Sequence, residues 1–231
     1  MTGKRPHILI NCAMTADGKI ALPSGQQLKI SGEKDFARVH RLRHRADAVV
    51  VGVGTVLMDD PKLTVKEKFV PEPSQPLRVV LDSRLRTPLD AQVLNGAAPT
   101  LLATTQLGMR MEWGKLGKLE ELEKKQGQRI MVLAFGENQV DVTKLVAYLA
   151  SKGHSTVFVE GGGSVMMSFL RAGLVDEYLV YVGSRIVGGL ETPVPFTGKG
   201  FQEEGLVVRL ELKGVERLDD GVLLSYLVLK T

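Results

Sequence analysis

Three consecutive glycines, Gly161, Gly162 and Gly163, stand between Glu160 and Ser164, where an apolar run, Thr156–Val159, meets an amphipathic stretch, Ser164–Ala172. Glycines feeding the start of a helix leave backbone N–H groups open to an anion at the positive end of the helix dipole. A purely structural turn needs one glycine and seldom three, so the segment reads as a phosphate cradle. Glu160 ends the preceding strand, the position where open α/β sheets place their ligands. A carboxylate there would repel a phosphate. Glu160 is therefore read as an acceptor for hydroxyl or amino groups, the alternative being a cap on the adjacent amides.

A second glycine pair, Gly52 and Gly54, opens Gly52-Val53-Gly54-Thr55-Val56-Leu57-Met58-Asp59-Asp60-Pro61 directly after a buried run. The backbone can turn sharply and approach a phosphate closely there. Thr55 suits a helix N-cap or a hydroxyl donor, and Asp59 and Asp60 close a short helix ahead of Pro61. The segment begins like a dinucleotide fingerprint, but Leu57 stands where the third glycine belongs, and a plain structural turn would show the same pair. In Asp82-Ser83-Arg84-Leu85-Arg86-Thr87-Pro88 a strand ends in a basic turn. Ser83, Arg84 and Arg86 could hold the 2′-phosphate that distinguishes NADPH from NADH, because guanidinium forks match phosphate geometry. An ordinary basic turn is the alternative. Thr15, Asp17 and Lys19 gather polar groups at the end of the first strand, around an Asp-Gly turn. Cys12, inside that strand, reads as packing, since no His or Asn pattern supports a thiolate nucleophile.

These residues need elements to position them. Strands are expected at His7–Met14, Ala48–Val53, Leu77–Leu81, Thr100–Ala103, Ile130–Ala134, Thr156–Val159, Tyr178–Val182, Leu206–Leu212 and Val222–Val228. The first seven are continuous apolar runs, as in strands buried on both faces; the last two alternate and suit an antiparallel end of the sheet. Helices are expected at Glu33–Arg45, around Lys115–Gln126, at Asp141–Lys152 with Asp141 as N-cap, and at Ser164–Ala172, with Gly153 and Gly173 past two of their ends. The fold class is α/β: a mostly parallel central sheet with antiparallel C-terminal strands and helices on both faces.

At 231 residues and 44% hydrophobic, the chain can bury a full core, and residues 1–231 are read as one domain. Its single cysteine excludes an internal disulfide, and its four histidines lack ligand-like spacing, so no metal site is expected. No apolar run approaches the roughly 20 residues of a membrane span. The N-terminal stretch, interrupted by Asn11 and followed by Asp17 and Lys19, reads as a first strand and not a secretory signal. With a single cysteine, a cytoplasmic protein is expected. The net charge of +4 comes from scattered basic residues at 5% aromatics, which argues against a nucleic-acid platform. The one dense cluster, His40-Arg41-Leu42-Arg43-His44-Arg45, reads as a solvated helix face, with an anionic small molecule as the alternative.

Taken in order, TADGKI, the Arg/His helix, VGVGTVLMDDPKLTV, RVVLDSRLRTP, VFVEGGGSVMMSFL, VDEYLVYV and IVGG resemble the reductase domain of riboflavin biosynthesis, related in fold to dihydrofolate reductase. The resemblance runs from about Pro6 to Leu229, and TVLxDDPxLT followed by EGGG is its specific signature. It implies reduction by NADPH of the ribosyl group of a phosphoribosylaminopyrimidine to a ribityl chain. It implies cofactor contacts near Thr55, Asp59, Ser83 and the Gly161–Ser164 loop, beside the Gly54 approach read from the glycine pair, and substrate contacts near Leu63, Lys66, Arg43 and Glu160. Arg43, Lys66 and Lys19 are the candidate cations for the substrate phosphate. Two departures stand out: Lys66 where the family usually carries Arg, and Ser184 where proline is common. Because no zinc-deaminase segment precedes Pro6, the resemblance points to the stand-alone archaeal and fungal type, which takes the 2,5-diaminopyrimidinone. The deaminated pyrimidine, a dihydrofolate-type activity and a non-catalytic nucleotide-binding protein are alternatives at this point. A homodimer is expected from the resemblance and from the alternating strands Leu206–Leu212 and Val222–Val228.

Overall fold

Continuous apolar runs become strands where both faces are covered, because an extended backbone then buries every side chain while its ladder satisfies every amide. The computed structural model describes residues 4–127 and 129–230; Met1–Gly3, ahead of the expected first strand, lie outside the described residues. Elements follow in the order β1 (His7–Thr15), α1 (Glu33–Arg45), β2 (Ala48–Gly52), α2 (Val53–Asp59), β3 (Leu77–Leu81) and β4 (Thr100–Thr104). Next come α3 (Gln106–Met111), α4 (Trp113–Gln126), β5 (Ile130–Ala134), α5 (Val142–Ser151) and β6 (Thr156–Gly161). The chain continues with α6 (Gly163–Arg171), β7 (Glu177–Gly183), β8 (Leu210–Leu218) and β9 (Gly221–Val228). The result is an α/β fold, mostly parallel, whose C-terminal strands are antiparallel.

The chain divides into two compact units, one built on His40–Phe158 and the other on His7–Val39 with the segment from Val159 onward. Helix α1 and strand β6 each begin in one unit and end in the other. In the first unit the strands run parallel in the order β5-β4-β3-β2. Val49, Val50, Val51, Val79, Val80, Leu101 and Leu102 are fully buried there, together with Leu145 and Leu149 of α5. Each such side chain contributes roughly 1.5–3 kcal/mol of transfer free energy. Asp141 caps α5 as expected, its Oδ1 accepting from the amides of Thr143 and Lys144 at 2.9 and 3.2 Å.

In the second unit the order is β1-β7-β9-β8, with β1 and β7 parallel and the β7–β9 and β9–β8 pairs antiparallel. Ile8, Ile10, Phe169 and Tyr181 are its fully buried anchors. Helix α1 carries Glu33 and Asp35 in its first turn and Arg43, His44 and Arg45 in its last, which complements its dipole. Its first amides are capped from a distant part of the chain: Asp219, between β8 and β9, accepts from the N–H of Lys34 and Asp35 at 3.0 and 3.1 Å.

Three expectations need correction. The strand expected at Leu206–Leu212 lies at Leu210–Leu218, after a 3-10 turn at Glu204–Leu206; β8 is exposed along most of its length, so no burial imposed a pattern to read. Helix α3 was not expected at all, although Thr105 caps it by accepting from the N–H of Gly108 at 3.0 Å. Thr55 is not an N-cap: Gly52 takes that position in α2, and Thr55 lies inside the first turn.

Candidate active site

Strand β2 runs directly into α2, whose N-cap, Gly52, has extended backbone and brings no side chain to the first amides. A glycine there leaves the helix start bare, as an anion site requires. Gly54 is exposed, and a Cβ added to it would meet nothing within 4 Å. Neighbouring carboxylates differ in use. Asp60 closes α2 in the left-handed region (φ 40°), while its Oδ1 accepts from the Gln92 amide at 2.7 Å. Asp59 is exposed as a residue, yet its carboxyl is crowded enough for desolvation to raise its pKa.

The basic turn after β3 is closed by Asp82, fully buried, whose Oδ2 accepts from both the amide and the hydroxyl of Thr87 at 2.7 Å. Leu85, equally buried, holds a φ of 51°, and its carbonyl accepts from Lys115 Nζ at 2.8 Å. Ser83 is occupied by its own surroundings: its hydroxyl accepts from the Val140 amide at 3.2 Å and its carbonyl from Thr105 at 2.7 Å. Arg84 and Arg86 are exposed and form no ion pair among the described residues. Two exposed guanidinium groups without carboxylate partners among the described residues, and an open glycine at an uncapped helix start in the same unit, are donor types that fit a phosphate-bearing cofactor.

The segment after α2 begins at Leu63, which is 2% exposed with a φ of 53°, so its side chain packs in the core. Arg43 of α1 donates from Nη1 to the Thr64 carbonyl at 3.2 Å, and the Lys66 amide donates to His40 Nδ1 at 3.3 Å. The Arg/His cluster on α1 is thus engaged with the chain: His40 is buried and holds this segment.

In the second unit Glu160 is the penultimate residue of β6, half-buried, and Gly162 is the N-cap of α6. Two of the three glycines have reasons internal to the fold. Gly162 has a φ of 78°, which side chains resist, and a Cβ on Gly163 would come within 2.7 Å of the Val194 carbonyl. No side chain caps α6, and Ser164 is exposed in its first turn. Asp17 binds its own chain: it accepts from the Thr15 hydroxyl at 2.5 Å and from the amides of Val187 and Gly188 at 3.2 and 2.7 Å. Those hydrogen bonds, that of Thr15 foremost, lower its pKa to about 2. Lys19 donates its amide to the Thr15 hydroxyl at 2.9 Å, so Thr15 and Lys19 shape one turn.

Sequence reasoning missed a buried polar chain in this unit. Asp35, 1% exposed, accepts from Arg38 Nε at 2.8 Å and from the Ser31 hydroxyl at 2.5 Å, and Arg38 Nη2 reaches Asn11 Oδ1 at 2.7 Å. The i,i+3 pairing of Asp35 and Arg38 was its only sequence signal. Ser184, where the family often has proline, donates to Asp220 Oδ2 at 2.5 Å, and Tyr181 donates to Oδ1 of the same carboxylate at 3.1 Å. Burial pushes the Cys12 thiol up to about 11, with its hydrogen bond to Tyr178 opposing, so it is an inert packing group. Arg78, buried and also missed, donates to the Asn95 side chain at 2.8 Å and to the carbonyls of Asn95 and Ala98.

Glycine-led helices at the ends of parallel strands, with an antiparallel C-terminal pair, define a dihydrofolate-reductase-like α/β protein. Dihydrofolate reductase from Enterococcus faecalis shares that fold with a TM-score of 0.51 at 13% identity over 96% of each chain, a likeness of fold alone. The chain belongs to the family of the RibD C-terminal domain, whose pattern matches residues 6–224. It is 38% identical over 224 residues to the 2,5-diamino-6-ribosylamino-4(3H)-pyrimidinone 5′-phosphate reductase of Archaeoglobus fulgidus, covering 94% of this chain and 95% of that one. The protein of the same name from Methanothermobacter thermautotrophicus is 39% identical over 224 residues, covering 97% and 99%. Among solved structures, RibD of Acinetobacter baumannii superposes with a TM-score of 0.79 at 25% identity, covering 98% of this chain and 59% of the other. No helix among the described residues is long and apolar enough to cross a membrane.

Proposed function

We propose that the protein reduces the ribosyl group of 2,5-diamino-6-(5-phosphoribosylamino)pyrimidin-4(3H)-one to the ribitylamino chain, with NADPH, in riboflavin biosynthesis. The observation that carries this reading is the match along nearly the full length of two proteins of that name, at 38% and 39% identity. The chain is read as one reductase domain, cytoplasmic and homodimeric, with the family pattern running from residue 6 to 224.

The ribosylamine ring opens to an imine at C1′, releasing the ring oxygen as a hydroxyl. Reduced nicotinamide, when bound, would supply the hydride to C1′, and the imine nitrogen takes up a proton to give the ribitylamine. The residues of this chain bind and orient. Arg84 and Arg86 would meet the 2′-phosphate, and Gly54, Thr55 and Asp59 are further candidate cofactor contacts; Gly161, Gly162, Gly163 and Ser164 are the second candidate phosphate cradle. In that set Ser83 supports the turn through its bond to Val140. Glu160 would accept from ribose hydroxyls or pyrimidine amino groups and fix the reacting carbon. Lys66 would meet the substrate phosphate as a point charge, and Arg43 would support it through its bond to the Thr64 carbonyl. Leu63 is buried in the core, one residue before Thr64, while Asp17 and Lys19 would border the substrate.

The test is oxidation of NADPH, followed by loss of its absorbance, with the aminated and deaminated pyrimidines offered separately. Turnover of the diaminopyrimidinone is expected; turnover of the deaminated compound alone moves the step, and turnover of dihydrofolate alone overturns the reading. Glu160→Gln should lower kcat with NADPH affinity retained, since misplacing reacting atoms by about 1 Å costs on the order of a hundredfold. Full kcat and KM in that variant would leave Glu160 as a cap only.

A further inference from the structure

His40, Arg43 and His44 stand three and four residues apart on α1 and so share one face. All three reach backbone groups of the segment that follows α2. Lys66 donates its amide to His40 Nδ1 at 3.3 Å, Arg43 Nη1 donates to the Thr64 carbonyl at 3.2 Å, and Ser74 donates its amide to His44 Nδ1 at 3.0 Å. Gln75 adds a paired contact with Val65, accepting its amide at 2.8 Å and donating to its carbonyl at 2.9 Å. The Lys66 carbonyl accepts from the amides of Phe69 and Val70 at 3.0 and 3.3 Å, so the backbone of Lys66 is pinned on both sides.

The imidazole of His40 is 1% exposed and stacks on Phe69, with centroids 4.7 Å apart and planes 17° from parallel. Lys68 Nζ lies 4.4 Å from the centroid of the Phe69 ring. Burial keeps the imidazole neutral, lowering its pKa to about 4, and the charges of Arg43, Lys66 and Lys68 act in the same direction. A neutral ring that accepts at Nδ1 carries its proton on Nε2.

We propose that His40 is a positioning residue for the substrate phosphate: by accepting the Lys66 amide it fixes where the Lys66 ammonium reaches, and thereby sets the preference for phosphorylated over unphosphorylated substrate. This rests on the reading of Lys66 as the phosphate contact. A histidine is suited to the task because one flat side chain supplies both a stacking face for Phe69 and an in-plane acceptor for the amide. Phenylalanine offers the first property only. Asparagine places an amide oxygen close to where Nδ1 stands, whereas the longer glutamine carries its oxygen beyond that point.

The experiment measures KM and kcat for the phosphorylated substrate and its dephosphorylated nucleoside at saturating NADPH. It uses the full chain with His40→Phe, His40→Asn, His40→Gln, Lys66→Ala and the double variant His40→Phe/Lys66→Ala, with melting temperature and NADPH Kd as controls. His40→Phe and His40→Gln should raise KM for the phosphorylated substrate on the order of 2- to 12-fold, the range that losing one neutral hydrogen bond allows. Their kcat, NADPH Kd and KM for the nucleoside should hold. His40→Asn should recover most of the affinity, and the double variant should be no worse than Lys66→Ala, as expected of residues acting through one contact. Equal penalties for both substrates, additive effects in the double variant, or indistinguishable His40→Asn and His40→Gln would each overturn the proposal. That last comparison stands even if His40→Phe fails to fold. An unchanged KM in Lys66→Ala would instead overturn the phosphate reading of Lys66 itself.

Discussion

Gly54 and Gly163 are chemically identical, yet the fold uses them in opposite ways. Gly163 is required by its own chain, because a Cβ would come within 2.7 Å of the Val194 carbonyl; around Gly54 the same atom would meet open space to 4 Å. Gly54→Ala should therefore fold normally, even gaining some helix propensity in α2, and weaken NADPH binding if the cofactor approaches there. Calorimetry showing an unchanged Kd would leave Gly54 without a ligand role. His40 offers a prediction in pH. Its folded pKa, about 4, lies below the ordinary 6.5, so between those values the unfolded chain takes up a proton that the folded chain refuses. Stability should be fully present above about pH 6.5 and decline as pH falls toward 4, by at most about 1.4 kcal/mol per pH unit for one proton. Urea unfolding should show this slope, and His40→Asn should flatten it; an unaltered slope would mean that His40 is not held neutral.

At the scale of elements, the turn after β3 separates structural from exposed groups within five residues. Asp82 closes it onto Thr87, Leu85 anchors it in the core, and Ser83 is spent on Val140 and Thr105. Arg84 and Arg86 are left to solvent. Cofactor preference should then reside in the two arginines alone. Arg84→Ala combined with Arg86→Ala should weaken NADPH and leave NADH unaffected, eroding the preference on the order of tenfold or more, as expected when charge-assisted hydrogen bonds of about 1.5–3 kcal/mol are removed. Steady-state kinetics with both cofactors decide it, and equal losses for NADPH and NADH would count against the assignment.

For the whole molecule, β8 is the element that one chain leaves uncovered. Among the described residues it pairs with β9 only, and Leu210, Leu212 and Val215 are exposed along it, Val215 to 62%. An exposed apolar edge of this kind invites a second copy. Light scattering should give about twice the 25.2 kDa of one chain, and Val215→Asp should shift the mass toward a single chain. A wild-type mass of one chain at micromolar concentration would refute the dimer.

The amino-acid sequence determined the seven strands β1–β7 to within one or two residues at each end, because a strand buried on both faces must be apolar throughout. It likewise determined the acidic first turn and basic last turn of α1 and the Asp141 cap of α5, where the interacting groups lie within a few residues of one another. Tertiary structure alone decided which polar side chains are consumed by the fold. Asp17 answers to amides 170 and 171 residues away, Asp219 caps a helix 184 residues away, and His40 meets an amide 26 residues on. Residue type reveals the capacity to accept a hydrogen bond, but only the folded chain sets the distance to a donor. The same holds for β8, misplaced in the sequence reading because an exposed strand carries no burial constraint to leave a pattern. Burial writes itself into local composition, whereas partnership between distant polar groups does not.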